Sequence, residues 1–333
     1  MANERTGRLD LYGFSHEGTR GTAEASTDVW YPRLSGVIED KVDKEILDQA
    51  DGHIGRSKLQ KTVKTHSEGS FEGPIETVNF GWLLGPLFGA HPAPTEVEEG
   101  TVADHIYPVQ NDSTHNTLTI FKKEGAVGVR KFGYSMIETM TIEYVKDQVL
   151  RFTMDVKGKP GVDDTDTPAF STDKVFSPAN FEFKYATTGA SVADTQTALT
   201  SASEVILESA SLTFEKELIV RWNDGVPYFI GNGTMAISGD IQLLHTSDTY
   251  RDFVEGETNK AFRFDLVHGD TIGAASKPSL KFDLMEAAMI DYEKTEDLSD
   301  LSMQKISFEA ILSKTAAGLA VATLRNTRTT QYA

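Results

Sequence analysis

One motif occurs twice, and this repeat limits the folds open to the chain more than any other feature of the sequence. Lys131-Phe132 is followed after seven residues by Met140-Thr-Ile-Glu-Tyr144, and Lys281-Phe282 is followed after six by Met289-Ile-Asp-Tyr292. Further back, Phe71-Glu-Gly-Pro-Ile75 matches Ile237-Ser-Gly-Asp-Ile241. Self-similarity at a fixed spacing indicates a chain built from like units. The sequence therefore predicts a tandem duplication, with a first unit at 1–172, a second at 173–314 and a C-terminal extension at 315–333.

Apolar residues within each unit recur mostly at every second position. Phe181-Glu-Phe-Lys-Tyr185 and Phe262-Arg-Phe-Asp-Leu266 are examples, and this alternation is typical of half-buried antiparallel strands. We expect an all-β fold with minor α: two tandem β-sandwich or barrel units, each with a short packed helix. The two packed helices are predicted at 77–88 and 247–255, and a second, weaker helix in the first unit at 38–49.

Composition excludes several classes of protein and of site. Thirty-two Lys and Arg against fifty Asp and Glu give a net charge of −18, which argues against sequence-specific DNA binding, because such proteins gain affinity by neutralising phosphates. An acidic surface would, however, let a polyanion pass without sticking. The chain contains no cysteine, so disulfides and thiolate chemistry are excluded. The start of the sequence has no apolar secretory segment and no stretch is long enough to cross a bilayer, so we expect synthesis in the host cytoplasm and no membrane contact.

No pattern of chemistry-bearing residues indicates an enzyme. The eight histidines do not fall into a zinc-binding spacing, and the nucleophile motif Gly-x-Ser-x-Gly is absent. We therefore predict no catalytic site, no metal and no cofactor. An alternative from another class stays open at this point: Trp30, Trp82 and Trp222 could line the sugar site of a carbohydrate-binding β-sandwich, or a virion adhesion protein, although tryptophans in such positions are more often part of a core.

The doubled unit resembles the tail tube protein family of long-tailed bacteriophages and archaeal tailed viruses. The resemblance rests on Ser70-Phe-Glu-Gly-Pro-Ile75 ahead of the apolar segment 80–88, on the hairpin from Phe121 to Arg130, and on the strand 233–240. It implies a structural virion protein whose inner sheet joins those of its neighbours into a barrel. Rings of such barrels stack into a tube that conducts the tape measure protein and then viral DNA, with tail tip or terminator proteins as further partners.

The doubling itself changes the ring that the resemblance implies. Most family members have one unit and form sixfold rings, so a doubled chain implies three copies in a pseudo-sixfold ring. The long hairpins that reach the next ring in single-unit relatives would correspond here to arms at about 34–64 and 199–228.

Two surfaces are predicted from charge. Glu138 and Glu143, with Glu286 and Asp291 as their counterparts in the second copy of the motif, are candidate residues of the lumen, but a one-residue slip in register would turn them to the opposite face. The extension from residue 315 onward follows Lys314, contains Arg325 and Arg328, and has no acidic side chain. We expect this basic segment to dock on a neighbouring subunit.

Overall fold

Strands make up most of the molecule. A computed structural model describes residues 10–49, 52, 57–125, 128–295 and 301–332. The strands of the first half are β1 (Asp10–His16), β2 (Val29–Tyr31), β3 (Ser35–Gln49), β4 (Ser57–Pro74), β5 (Thr95–Glu98), β6 (Val102–Pro108), β7 (Leu118–Glu124), β8 (Gly128–Val145), β9 (Arg151–Gly158) and β10 (Val162–Asp164). Those of the second half are β11 (Phe181–Ala186), β12 (Glu204–Val205), β13 (Ser209–Asn223), β14 (Val226–Leu244), β15 (Lys260–Val267), β16 (Ser279–Thr295), β17 (Met303–Ala310) and β18 (Ala320–Asn326). The helices are α1 (Gly81–Phe88), α2 (Val192–Ser201), α3 (Thr249–Glu255) and a 3₁₀ turn, Pro178–Asn180.

An eight-stranded antiparallel sheet runs through both halves of the chain. Its order is β3–β4–β9–β8–β13–β14–β17–β16, so that β8 of the first half pairs directly with β13 of the second. We call this the inner sheet. The long strands β8 and β16 each contribute only their C-terminal part to it.

The N-terminal parts of β8 and β16 enter two outer sheets. One has the order β2–β1–β7–β8–β10. The other has the order β12–β11–β15–β16–β18–β6–β5. The pairing pattern of the inner sheet is thus repeated, with β3, β4, β9 and β8 equivalent to β13, β14, β17 and β16. The second outer sheet is longer than the first, because β6 and β5 extend it beyond β18. An all-β fold with minor α is confirmed, whereas the unit boundaries at 172 and 314 stay a prediction.

Aromatic residues fill the space between the inner and outer sheets. In the first half the rings of Phe14 and Phe71 meet edge to face at 5.8 Å, and in the second those of Phe262 and Phe308 do so at 5.2 Å. These residues are fully buried and stand at alternate positions of their strands, so the period-two pattern of the sequence becomes one buried face per strand.

Two of the helices lie within the ranges predicted from the sequence, 77–88 and 247–255. The helix predicted at 38–49 is wrong, because these residues form β3 and pair with β4 along their whole length. Its helical signal came from Ile38, Val42 and Ile46 at i, i+4 spacing, but a partner strand satisfies the backbone instead. The predicted second arm also begins too early, since 199–201 belong to α2 and the hairpin starts at Ser209.

The C-terminal extension is part of this chain's own fold, which corrects the prediction that it docks on a neighbour. β18 pairs on one side with β16 and on the other with β6, a strand of the first half. Beyond it, Tyr332 is fully buried, meets Trp82 of α1 edge to face at 5.3 Å, and donates a hydrogen bond from its hydroxyl to the Val78 carbonyl at 2.7 Å. The extension therefore fastens the second half of the chain onto the first.

Helix α1 is short and buried on all sides, so its position depends on its ends. The carboxylate of Asp173 accepts hydrogen bonds from the backbone N–H groups of Val78 and Asn79 in the turn before the helix, at 2.7 and 2.8 Å. Gly81 allows close approach, because a Cβ there would overlap the ring of Tyr332. The helix thus links the segment between the two halves to the C-terminus of the chain.

Candidate functional site

The inner sheet has one buried face and one polar face. Aligned residues cross the strands of the polar face in three rows, none of whose members is buried. The rows are Ser35–Glu72–Thr153–Thr141–Thr213–Ser238–Glu309–Ala288, Arg151–Glu143–Ser211–Asp240–Ser307–Asp291, and Val37–Ser70–Asp155–Thr139–Glu215–Ala236. They contain seven carboxylates and one arginine, and most other members are Ser or Thr. The face is therefore acidic and hydroxyl-rich.

Three of the four predicted carboxylates lie on this polar face. Glu143 and Asp291 belong to the same row, and both are exposed. Glu138 is the bulged residue of β8 and lies beside Lys157, whose Nζ is 3.6 Å from its Oε1. Glu286 lies where β16 passes from the outer to the inner sheet, and its Oε1 accepts a hydrogen bond from Asn259 Nδ2 at 2.9 Å.

Most carboxylates of the face are not among the four residues predicted from the sequence. Asp155, Glu215, Asp240 and Glu309 stand in strands whose alternation was visible, for example Leu212-Thr-Phe-Glu215. Their signal was the polar position between two apolar ones. What the sequence lacked was the pairing that aligns these positions across strands far apart in the chain.

Basic side chains neutralise part of the face. Arg151 pairs with Glu72 at 2.8 Å and Lys305 with Asp240 at 3.3 Å. Lys157 lies 3.6 Å from both Glu68 and Glu138. Exposed pairs of this kind contribute little to stability.

The junction between the halves is part of the same face. β8 and β13 pair over seven positions, from Thr139 opposite Glu215 to Val145 opposite Ser209. At its centre the hydroxyl oxygens of Thr141 and Thr213 are 3.0 Å apart. The outer edge of β8, the last inner strand of the first half, thus pairs with the outer edge of β13, the first inner strand of the second half.

The same two kinds of edge recur at the ends of the inner sheet. Among the described residues, β3 pairs with β4 alone, and the C-terminal part of β16 pairs with β17 alone. β3 is the equivalent of β13, and β16 the equivalent of β8. An exposed strand edge is a template for pairing with another chain, so each molecule carries the two complementary sides of its own internal junction.

A scan against protein-family models matches residues 12–310 to the phage tail tube protein family. This chain belongs to the phage tail tube protein family. The match covers nearly the whole chain and both halves of the inner sheet, and it makes the molecule a structural component of a viral tail. A search of curated proteins returned no match. No helix among the described residues has the length and apolar character to cross a membrane.

Other features have structural roles within this tail tube protein. Trp30 and Trp82 are buried, so neither can serve as a sugar platform. Trp222 packs edge to face on His66, with the ring centres 5.4 Å apart. In the part of the chain that the structure describes, no group of three or more His, Asp or Glu residues is placed to hold a metal ion.

One buried lysine stands out among the titratable groups. Lys216 occupies an inward position of β13, and its Nζ donates a hydrogen bond to the Pro86 carbonyl of α1 at 2.6 Å. Burial lowers its pKa to about 7. Burial likewise lowers the pKa of the adjacent His115. The lysine ties the helix of the first half to the second half.

Proposed function

We propose that three copies of this tail tube protein close into a ring through the open edges of β16 and β3, and that such rings stack into the conduit for viral DNA. The observation that carries the proposal is the β8–β13 junction inside the chain. A head-to-tail contact of this type is heterologous, and it gives a closed ring when the rotation between copies closes. Each molecule then repeats between chains the contact that it already makes within itself.

The equivalence of the strands predicts which residues meet. Glu72 pairs with Thr153 and Thr153 with Thr141, just as Ser238 of the second half pairs with Glu309 and Glu309 with Ala288, so Ala288 of β16 takes the place of Thr141. Ser35 pairs with Glu72 as Thr213 pairs with Ser238, so Ser35 of β3 takes the place of Thr213. Because Thr141 lies opposite Thr213 in the internal junction, Ala288 of one copy would lie opposite Ser35 of the next.

A ring of three would contain 24 inner strands, since each copy contributes eight. At a strand spacing of about 4.8 Å, this gives a barrel roughly 40 Å across between backbones. The space suffices for a DNA duplex with a layer of side chains on each wall. Six copies would give a barrel about twice as wide, which would hold the duplex loosely.

The polar face would then line the channel. Its carboxylates repel phosphate within a Debye length of about 8 Å, and its Ser and Thr side chains offer neutral, hydrated contacts. DNA would pass without specific binding, and a tape measure protein would fill the channel before it. Tail tip and terminator proteins would meet the two ends of the tube, and host cytoplasm would be the place of synthesis. This function needs no catalysis.

Mass and images of the purified chain test the proposal. Light scattering coupled to size exclusion should give a species of three chains, and negative-stain electron microscopy should show rings and, at raised concentration, tubes with sixfold-like outlines. A ring of six chains would contradict the copy number. A chain that stays monomeric at every concentration, or a tube whose channel is too narrow for duplex DNA, would overturn the proposal itself.

A further inference from the structure

We infer that a groove on the second half of the chain receives the β3–β4 hairpin of the adjacent copy in the same ring. The inference rests on the proposed ring. We call the part of this hairpin that extends past β9, residues 42–49 and 57–66, arm 1. The corresponding part of the β13–β14 hairpin, residues 217–231, is arm 2.

Arm 2 shows within the chain how such an arm docks. Its tip reaches past the ends of β8 and β9 to β4, where the Gly225 carbonyl accepts a hydrogen bond from the Thr65 N–H at 2.7 Å. Trp222 packs on His66, and Lys64 Nζ lies 4.9 Å from the centre of the Trp222 ring. Arm 2 therefore passes the ends of two strands, β8 and β9, and contacts β4, the strand that follows them in the inner sheet.

The same contact between neighbouring copies of the ring would bring arm 1 to the groove. Arm 1 of the next copy would start beside β16, lean past the ends of β16 and β17, and meet β14, the equivalent of β4. A groove of about 1020 Å³ lies at this position, between arm 2 and the turn that follows β17. Ile219 of arm 2, Met235 of β14, and Leu312, Lys314 and Leu319 after β17 are among the residues that line it.

The groove is apolar at its mouth and lacks a cover within the described chain. Leu312 is 66% exposed and Ile219 is 41% exposed. Both line the groove, together with Leu319 and Met235. The free energy falls when a partner removes large apolar side chains such as these from water.

Arm 1 carries exposed apolar side chains on both of its faces. Val42, Ile46, Leu47, Leu59 and Val63 are all between 43 and 54% exposed. Val42 and Ile46 share one face, and Leu47 lies directly opposite Leu59 on the other. A two-stranded ribbon is marginal in water by itself. Arm 1 therefore needs a surface against which to pack, whereas arm 2 already has one.

The internal docking of arm 2 favours a second copy of this chain as the occupant. Arm 2 rests on β4, and β14 beside the groove is the equivalent of β4, so arm 1 of the next copy is the segment that the repeat brings to this place. Charge does not oppose the contact, because arm 1 has three carboxylates and four lysines and the groove presents one of each, Asp112 and Lys314.

Substitution on both sides tests the contact. Leu312→Asp in the groove and Ile46→Asp in arm 1 should each raise the concentration needed for ring formation at least about tenfold. Ile206→Asp is the matched control, because Ile206 is 73% exposed and precedes β13 at the end opposite arm 2. Circular dichroism on the monomers should show all three variants folded. Unchanged assembly of either Leu312→Asp or Ile46→Asp would overturn the inference while leaving the ring itself intact.

Rescue and crosslinking decide the partner. Ile46→Lys combined with Leu312→Asp should restore assembly, and failure to do so would mean that the two side chains do not meet. Because the chain has no cysteine, Ile46→Cys with Leu312→Cys gives a unique disulfide pair. Covalent products that stop at three chains support docking within one ring, whereas a ladder beyond three would place arm 1 on the next ring and overturn the inference. Absence of rings in the unaltered protein would instead count against the proposed function.

Discussion

The hydroxyl oxygens of Thr141 and Thr213 lie 3.0 Å apart across β8 and β13, and this pair joins the two halves of the chain at the centre of the polar face. Cross-strand Thr pairs of this kind stabilise a sheet modestly. Their greater value here is that they fix the register of the junction. A register fixed inside the chain provides a residue-level expectation for the contact between chains.

The first prediction concerns that contact. Ser35→Cys with Ala288→Cys should form a disulfide between copies under mild oxidation, because these positions correspond to Thr213 and Thr141, which face each other in the internal junction. Denaturing electrophoresis without reductant should show linked dimers and trimers. Ser35→Cys with Glu293→Cys is the control, since Glu293 lies five residues further along β16. Equal crosslinking in both variants would mean that the register differs from that of β8 and β13.

A second prediction concerns the channel. Glu143→Lys with Asp291→Lys should leave rings and tubes intact but make them retain DNA, because exposed lysines near phosphates release counterions on binding. Retention on assembled tubes, measured by co-sedimentation, should weaken as salt rises. Glu204→Lys, on the short strand β12 of an outer sheet, serves as the control. If neither variant retains DNA, this row of the polar face does not line the channel.

Burial of Lys216 leads to a prediction about pH. Its pKa falls from 10.5 to about 7 in the folded chain, so between these values the unfolded chain binds a proton that the folded chain does not. The free energy of unfolding should therefore rise with pH across this window, by about 5 kcal/mol for this group alone.

Lys216→Met should remove that dependence and raise stability at pH 7 to 8, less the loss of the hydrogen bond to Pro86. Chemical denaturation of both proteins at pH 7, 8, 9 and 10 measures the difference. A constant difference between them across this range would show that the lysine is charged in the folded state.

The fourth prediction concerns the C-terminus. Tyr332→Ala should destabilise the folded monomer by about 3 to 5 kcal/mol, because it removes a buried aromatic side chain from beneath α1. Gly81→Ala should also destabilise it, although alanine favours helices, since the new Cβ overlaps the Tyr332 ring.

A double-mutant cycle of these two substitutions tests the geometry. Gly81→Ala should destabilise the Tyr332→Ala variant less than it destabilises the unaltered protein, because Tyr332→Ala makes room for the methyl group. Additive effects in thermal and chemical denaturation would show that the two residues do not share this space.

Several features followed from the sequence alone, for local physical reasons. The alternation in Phe181-Glu-Phe-Lys-Tyr185 and Phe262-Arg-Phe-Asp-Leu266 predicted strands, because side chains of a strand point to opposite faces in turn. The repeated motif around Met140 and Met289 located two equivalent strands, β8 and β16. The absence of cysteine and the net charge of −18 bounded the chemistry without reference to any fold.

Tertiary structure decided what depends on pairing between distant segments. Residues 38–49 carry a helical spacing, and only pairing with β4 makes them a strand. The acidic row from Glu143 to Asp291 spans five strands, and its members share a face only because the register of each pair is fixed. Lys216 reads as a polar residue of a solvated strand, yet it is buried beneath α1. The sequence by itself determined the period and the repeat, because these are local patterns, while register, edges and burial were decided by contacts that no local pattern encodes.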